Sequence, residues 1–278
     1  MNVIDTLRKV LPRSVRDILR PYVIRYQTYQ ARSQEHSREK RVIARAAKPV
    51  AKVTPLQYWT EGQTSELAFW DRVLTGKDEW PETRPLRTDP NLPLQDYLTS
   101  LIGLSAGSTV RILDVGAGPL TCLGKKWEGR DVRITAVDAN AMHYDRLLEK
   151  HGIIPLCRTI LGFAEELSKV APESSFDLVH ARNCIDHSQD PLKAIDEMLR
   201  AVKPGCYVFL NHAIREGAAQ LYEGPHQWDF FPKRGSFYIA RPGRMSVNVS
   251  KRLRRRATVD VRTSPDGPSW FVACLRKR

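Results

Sequence analysis

The sequence predicts a doubly wound α/β fold, and three observations lead there. Between residues 108 and 212, short apolar runs rich in β-branched residues alternate with helical segments, the order that a parallel sheet with crossover helices requires. The first run, Val110 to Val115, breaks at two glycines, Gly116 and Gly118. The second, Val132 to Val137, ends at Asp138, twenty residues after Gly118. A glycine lacks a Cβ, so a ligand can lie against its backbone. Pro119 is placed for the first turn of a helix, whose N-terminus would point unpaired N–H groups at that ligand. An acidic residue at the end of the second strand can accept both hydroxyls of a ribose. Position 121 is Thr, so the third glycine of a dinucleotide fingerprint is missing and no Gly-rich cradle for a pyrophosphate follows. A ligand with a ribose but no phosphates suits this corner better, although the spacing alone does not name it.

Along the chain, residues 2–29 carry Ile4, Leu7, Leu11, Val15, Ile18, Tyr22 and Tyr26 at helical spacing, with Pro12 and Pro21 dividing the stretch. Arginines and lysines flank that face. It reads either as an interfacial helix on an anionic membrane or as a helix packed on the domain. Residues 30–54 are polar and charged, so 1–54 form a basic extension and linker. Residues 55–107 are rich in tryptophan and leucine and form a second block, helical over 65–74 and again over 94–101. This block is either a lid or a cap over an exposed sheet or helix face. The core, 108–278, is expected to have strands near 110–115, 132–137, 154–158, 176–181 and 205–211. Helices are expected near 119–127, 140–150, 162–170 and 190–202. Asp190-Pro191 supplies an N-cap and a first-turn proline, and Lys203-Pro204-Gly205 a stop. Residues 211–235 read as a non-core stretch. A short helix over 249–254 and strands near 257–263 and 269–275, joined by a Ser264-Pro265-Asp266-Gly267 turn, end the chain. All of this is expected to share a single sheet.

The 278 residues carry a net charge of +13, concentrated at the two ends, while the middle is mildly acidic. Basic ends suit nucleic acid, anionic lipid or an acidic substrate. The five cysteines are scattered with no CxxC pair, which excludes a cysteine metal cluster or a disulfide framework and points to free thiols in a reducing compartment. No apolar run approaches a membrane span, and the N-terminus has no signal-like apolar core. A cytoplasmic protein is expected, with peripheral membrane contact through the N-terminus left open.

Four segments carry a family resemblance. Leu113-Asp114-Val115-Gly116-Ala117-Gly118, Val137-Asp138-Ala139-Asn140, Phe176-Asp177-Leu178-Val179 and Leu199-Arg200-Ala201-Val202-Lys203-Pro204-Gly205-Cys206 resemble, in order and spacing, the motifs of class I S-adenosylmethionine-dependent methyltransferases. The resemblance implies a mostly parallel seven-stranded sheet whose last strand inserts antiparallel, S-adenosylmethionine as cofactor, and methyl transfer as activity. It implies that Gly116, Ala117 and Gly118 pass the methionine part of the cofactor and that Asp114 helps hold its amino end. By the same likeness Asp138 accepts the ribose, while Ala139 and Asn140 flank the adenine. Where the family commonly has an acidic residue after the third strand, this chain has Phe163. Either Phe163 stacks on the adenine, or Ala164 and Glu165 supply the polar contact.

Ligands in such sheets sit beyond the carboxyl ends of the strands. That places Arg182 and Asn183, at the exit of the fourth strand, with the cofactor contacts and near the reacting centre, and leaves Asp177, at the strand start, structural. His187 either contacts the acceptor or is hydrogen-bonded within its loop. His226 and Glu216 fall in a stretch after the fifth strand that is dense in polar and aromatic groups, the kind of connection that carries function. The run Tyr222-Glu223-Gly224-Pro225-His226-Gln227-Trp228 looks like a segment of a subset of bacterial methyltransferases. Such a lining suits a small polar or saccharide-like acceptor. If a hydroxyl is methylated, His187 and His226 are the candidate bases, with Glu216 behind them. No metal is expected, because His212, His226 and a glutamate match no zinc spacing. Alternatives are an RNA methyltransferase using the basic ends, which lacks an Asn-Pro-Pro-Tyr-type motif at Arg182-Asn183-Cys184-Ile185; a nicotinamide oxidoreductase, which lacks a phosphate cradle; and a non-catalytic scaffold or membrane-bound partner.

Overall fold

A computed structural model describes residues 55–76 and 83–278. The expectations for 1–54, including the membrane helix, lie outside the described residues. The described residues form one compact unit. Its elements are α1 (Pro55–Thr75), α2 (Thr83–Thr88), α3 (Asp96–Thr99), β1 (Thr109–Val115), β2 (Asp131–Asp138), α4 (Ala141–Lys150) and β3 (Ile160–Leu161). These are followed by β4 (Phe176–Arg182), α5 (Pro191–Ala201), β5 (Val202–Ala213), α6 (Glu216–Ala219), β6 (Asp229–Lys233), β7 (Ser236–Ala240), β8 (Val247–Asn248), α7 (Val249–Leu253), β9 (Ala257–Ser264) and β10 (Gly267–Lys277).

The main sheet has seven strands in the order β3-β2-β1-β4-β5-β10-β9. Pairing is parallel except at β10, which runs antiparallel to both β5 and β9. The chain reverses its winding between β1 and β4, the switch point at whose carboxyl ends ligands sit. The first six residues of β4 are buried on both faces, as a central parallel strand should be. Asp177, at its start, accepts from the Arg111 N–H at 2.9 Å and from Lys203 Nζ at 2.6 Å, which fixes it as structural. In α5 the apolar face of Ala194, Ile195, Met198 and Leu199 packs into the core under the sheet. Its N-cap, Asp190, accepts from the N–H groups of Leu192 and Lys193, and Pro191 occupies the first turn as expected.

Four expectations are corrected. No helix follows the glycine turn over 119–127. There the backbone finds tertiary partners instead: Lys125 and Lys126 donate to Leu92, Gly124 donates to Gln95 Oε1, and Cys122 accepts from Gln95 Nε2. Backbone groups need partners, not a particular helix, and residues 92–95 supply them. Residues 154–158 do not form a strand. Pro155 lacks an N–H and Ile154 is 90% exposed, so the third strand shrinks to Ile160–Leu161. The segment 162–170 is a 3-10 stretch over Ala164–Lys169, broken at Glu166. Finally, the sheet is not single. Residues 229–248, partly read as a non-core stretch, form a three-stranded antiparallel sheet, β6-β7-β8. Its Phe230, Phe237 and Ile239 join the main core beside Val208 and Leu210.

Helix α1 buries Trp70 and Val73 against Ala141 and Tyr144 of α4, and Leu74 against Leu120 and Leu148. It therefore covers an apolar helix face, and its Glu66 and Trp70 also line the cleft described next. Among the described residues, no helix is long and apolar enough to cross a membrane.

Candidate active site

A cleft of about 890 Å³ opens at the carboxyl ends of β1, β2 and β4. Its first half grows from the β1–β2 pair, where Asp114 lies beside Ala136 and Val115 beside Val137 in parallel register. Asp138, at the end of β2, accepts from the Gly118 N–H at 3.0 Å, from the Asn140 N–H at 2.8 Å and from the Tyr144 hydroxyl at 3.1 Å. Burial raises its pKa, against the pull of the two backbone N–H groups. A carboxylate offers about four lone-pair sites, so one remains for a ligand hydroxyl. Asn140 Oδ1, beside it, is buried with no hydrogen-bond partner. Ala117 and Ala139 also line this half.

Gly116 and Gly118 both have positive φ, at +67° and +68°. A Cβ on Gly118 would collide with the Trp70 indole, and one on Gly116 with the Cys184 side chain. The glycines thus admit close approach of protein side chains as well as lining the cleft. The Arg87 guanidinium stacks over Trp70 at 5.0 Å and donates to the Leu120 carbonyl, and burial lowers its pKa.

Other expected cofactor contacts are already engaged within the chain. Asp114 is 2% exposed and meets His180 Nδ1 at 2.7 Å and the Thr121 hydroxyl at 2.6 Å. That explains Thr121: its hydroxyl ties the glycine loop back to β1. Arg182 donates to Asp266 Oδ2 at 3.0 Å and lies over Trp270, which fastens β4 to the β9–β10 turn. Asn183 Oδ1 accepts from the Ala213 N–H at 3.0 Å. Glu165 Oε1 accepts from the N–H groups of Gln189 and Asp190 at the start of α5. All four line the cleft, as do Phe163 and Ala164. Phe163 is 38% exposed there.

The second half is a cluster around Asp186, which sits in the 3-10 turn Ile185–His187 and is 1% exposed. His226 Nδ1 lies 2.9 Å from Asp186 Oδ2, His187 Nε2 lies 3.5 Å from that same oxygen, and His212 Nδ1 lies 3.8 Å from Oδ1. Burial disfavours the Asp186 charge, but the surrounding imidazoles outweigh it and hold the pKa at about 2. Burial pushes His212 down to about 4, so it is neutral. At His226 burial lowers the pKa, and the bond to Asp186 more than offsets it, a net rise. His187 also faces Glu66 Oε1 of α1, 3.9 Å from its Nδ1. Glu216, on α6, accepts from Gln220 Nε2 at 2.9 Å at the same wall. Trp228 Nε1 donates to the Ser188 carbonyl at 2.9 Å and pins the His226 loop.

The structure therefore brings His187, His226 and Glu216 to one wall, together with two groups that sequence reasoning did not assign. Asp186 had a signal, since it precedes His187 on the loop leaving β4. Glu66 had none, because nothing in a helical charge pattern marks one acid as facing a site 120 residues away.

Residues 113–210 match the family model described as a methyltransferase domain. The chain carries a class I S-adenosylmethionine-dependent methyltransferase domain. A methyltransferase of Schizosaccharomyces pombe without assigned function is 33% identical over 115 residues, which are 38% of this chain and 40% of that protein. The ubiquinone biosynthesis O-methyltransferase of Alkalilimnicola ehrlichii is 28% identical over 169 residues, 55% of this chain and 66% of that protein. The chain thus spans less than two thirds of the length of either relative. The N-methyltransferase NodS from Bradyrhizobium japonicum, solved with S-adenosylhomocysteine, superposes with a TM-score of 0.46 at 16% identity, covering 78% of this chain and 98% of that one.

S-adenosylmethionine is the cofactor of this methyltransferase domain. The residues present fit it. The one spare lone pair of Asp138 suits a ribose hydroxyl, and the orphaned Asn140 Oδ1 is a buried acceptor awaiting a donor such as an adenine amino group.

Proposed function

We propose that this protein transfers a methyl group from S-adenosylmethionine to a hydroxyl of a small, polar, saccharide-like acceptor. The observation that carries the reading is that one continuous cleft is lined both by the Asp138 corner and by His187 and His226 of the Asp186 cluster. Oxygen as the receiving atom is supported by the Alkalilimnicola relative, named as an O-methyltransferase. When bound, S-adenosylmethionine supplies a methyl group already activated by a sulfonium. The chain's own task is alignment, which is worth several kcal/mol of the barrier. Asp138 and Asn140 hold the cofactor's nucleoside, and His187, His226 and Glu216 meet the acceptor hydroxyl. Glu66, Gln220 and Glu216 give that chamber the hydrogen-bonding character that a polyol requires. The loss of rate on removing a group that assists hydroxyl deprotonation is about 10²–10⁴-fold.

The test is a radiolabelled-methyl transfer screen against sugar nucleotides, free glycosides, lipids and RNA, alongside calorimetry with S-adenosylhomocysteine and NAD. S-adenosylhomocysteine binding, with label appearing on a saccharide oxygen, supports the reading. Label on RNA, or NAD binding alone, would sink it.

A further inference from the structure

We propose that Asp186, His187 and His226, with Glu66 at their edge, form a binding site for a divalent transition-metal ion of the zinc type. Three ligand atoms converge in a small triangle. Asp186 Oδ2 lies 2.9 Å from His226 Nδ1, that nitrogen lies 3.0 Å from His187 Nε2, and the third edge is 3.5 Å. A tetrahedral ion bonded at about 2.0–2.2 Å to nitrogen and oxygen holds neighbouring ligand atoms about 3.3–3.6 Å apart; the 3.5 Å edge matches this, and the two shorter edges need to open by about 0.5 Å. Glu66 Oε1 lies 3.9 Å from His187 Nδ1, the other nitrogen of that ring, and a Glu66 carboxylate oxygen lies within 4.8 Å of a ring nitrogen of His226.

His226 Nδ1 is within hydrogen-bonding distance of both Asp186 Oδ2 and His187 Nε2, so a single N–H can be shared between them. A cation in the middle would instead accept a lone pair from each vertex. The donor set of two imidazoles and a carboxylate suits zinc, iron, cobalt or manganese rather than calcium or magnesium.

The setting is also that of a working site. Asp186 is 1% exposed, so the fold fixes its charge, whereas the side chains of His187 and His226 are 18% and 20% exposed on the cleft wall. Both histidines line the cleft. That the cation holds an acceptor oxygen there rests on the methyl-transfer reading and deepens it. A vicinal diol, with two adjacent oxygens, is the acceptor chemistry such a site selects. Sequence spacing expects no metal because two of the ligands are adjacent residues and the others come from a distant loop and from α1.

The experiment uses the untagged full chain, stripped with a chelator and titrated with Co²⁺ by visible absorption, then with Zn²⁺ in competition. One Co²⁺ per chain is expected, with no thiolate charge-transfer band. His187→Ala, His226→Ala and Glu66→Gln are each expected to weaken binding by about tenfold or more. Calorimetry with S-adenosylhomocysteine shows whether each variant is folded. Unchanged Co²⁺ affinity in a folded His187→Ala/His226→Ala double variant overturns the site. So does failure of the native chain to bind Co²⁺, or a thiolate band that disappears in Cys122→Ser, which would put the ion at Asp114, Cys122 and His180 instead. Metal binding is read without cofactor or acceptor. A chain that takes up Co²⁺ but not S-adenosylhomocysteine therefore refutes methyl transfer and leaves the site standing, and the converse result does the reverse.

Discussion

At one end of the cleft a single carboxylate, Asp138, is held chiefly by the backbone N–H groups of Gly118 and Asn140. At the other end a single carboxylate, Asp186, is surrounded by side chains, His187, His212 and His226. Backbone N–H groups are present whatever the residue, so the first arrangement needs only a glycine turn and one acid at the right distance. The second requires imidazoles from the loop after β4, from the end of β5 and from the loop before β6, plus Glu66 from α1. Substitutions should therefore separate the two ends cleanly.

Asp186→Ala removes the centre of the side-chain cluster. Methyl transfer is expected to fall by about 10²-fold or more, while S-adenosylhomocysteine affinity changes little. A parallel loss of cofactor affinity in calorimetry would show that the two ends are one unit.

Asp138→Ala acts on the other end. Cofactor affinity should weaken by about 1–3 kcal/mol, the scale for hydrogen bonds to a charged group. The Asp186 cluster should be untouched, as NMR of the histidine rings would show. Unchanged affinity in a folded variant rejects the ribose role. In the native protein, accepting ribose hydroxyls requires ionised Asp138, and burial raises its pKa above the ordinary 3.8. Affinity should therefore decline on acidification at a higher pH than an ordinary aspartate would give, and the decline should vanish in Asp138→Asn.

Gly118→Val tests the seam between α1 and the glycine loop. A branched residue at φ +68° is strained, at a cost of about 1–3 kcal/mol, and its Cβ displaces Trp70. The melting temperature and the tryptophan emission should both shift, with cofactor binding lost. Normal binding with an unmoved Trp70 would show that the loop has room to relax.

Asp190→Ala removes only the α5 N-cap, which is worth about 1 kcal/mol. It should lower the melting temperature modestly and leave both ends of the cleft working. A change in methyl-transfer rate would mean that the Glu165 bridge to the start of α5 couples to the site.

From the sequence alone came the strand–glycine–acid corner, the Asp190 cap, the β9–β10 hairpin and the loop that presents His187. Each of these is written in residues a few positions apart, or in the regular spacing of strands along a doubly wound chain, so short-range physics suffices. The missing helix over 119–127 was not legible, because the backbone partners that replace helical bonds lie at 92–95. The second sheet was not legible either, because Phe230 and Phe237 join a core that also takes Leu113 and Val115 of β1 and Val179 of β4, far away along the chain. The triangle of Asp186, His187 and His226, and the approach of Glu66, exist only once β4, β5 and α1 are packed around the switch point. Side-chain convergence depends on distances in space, and the order of residues along the chain does not record them.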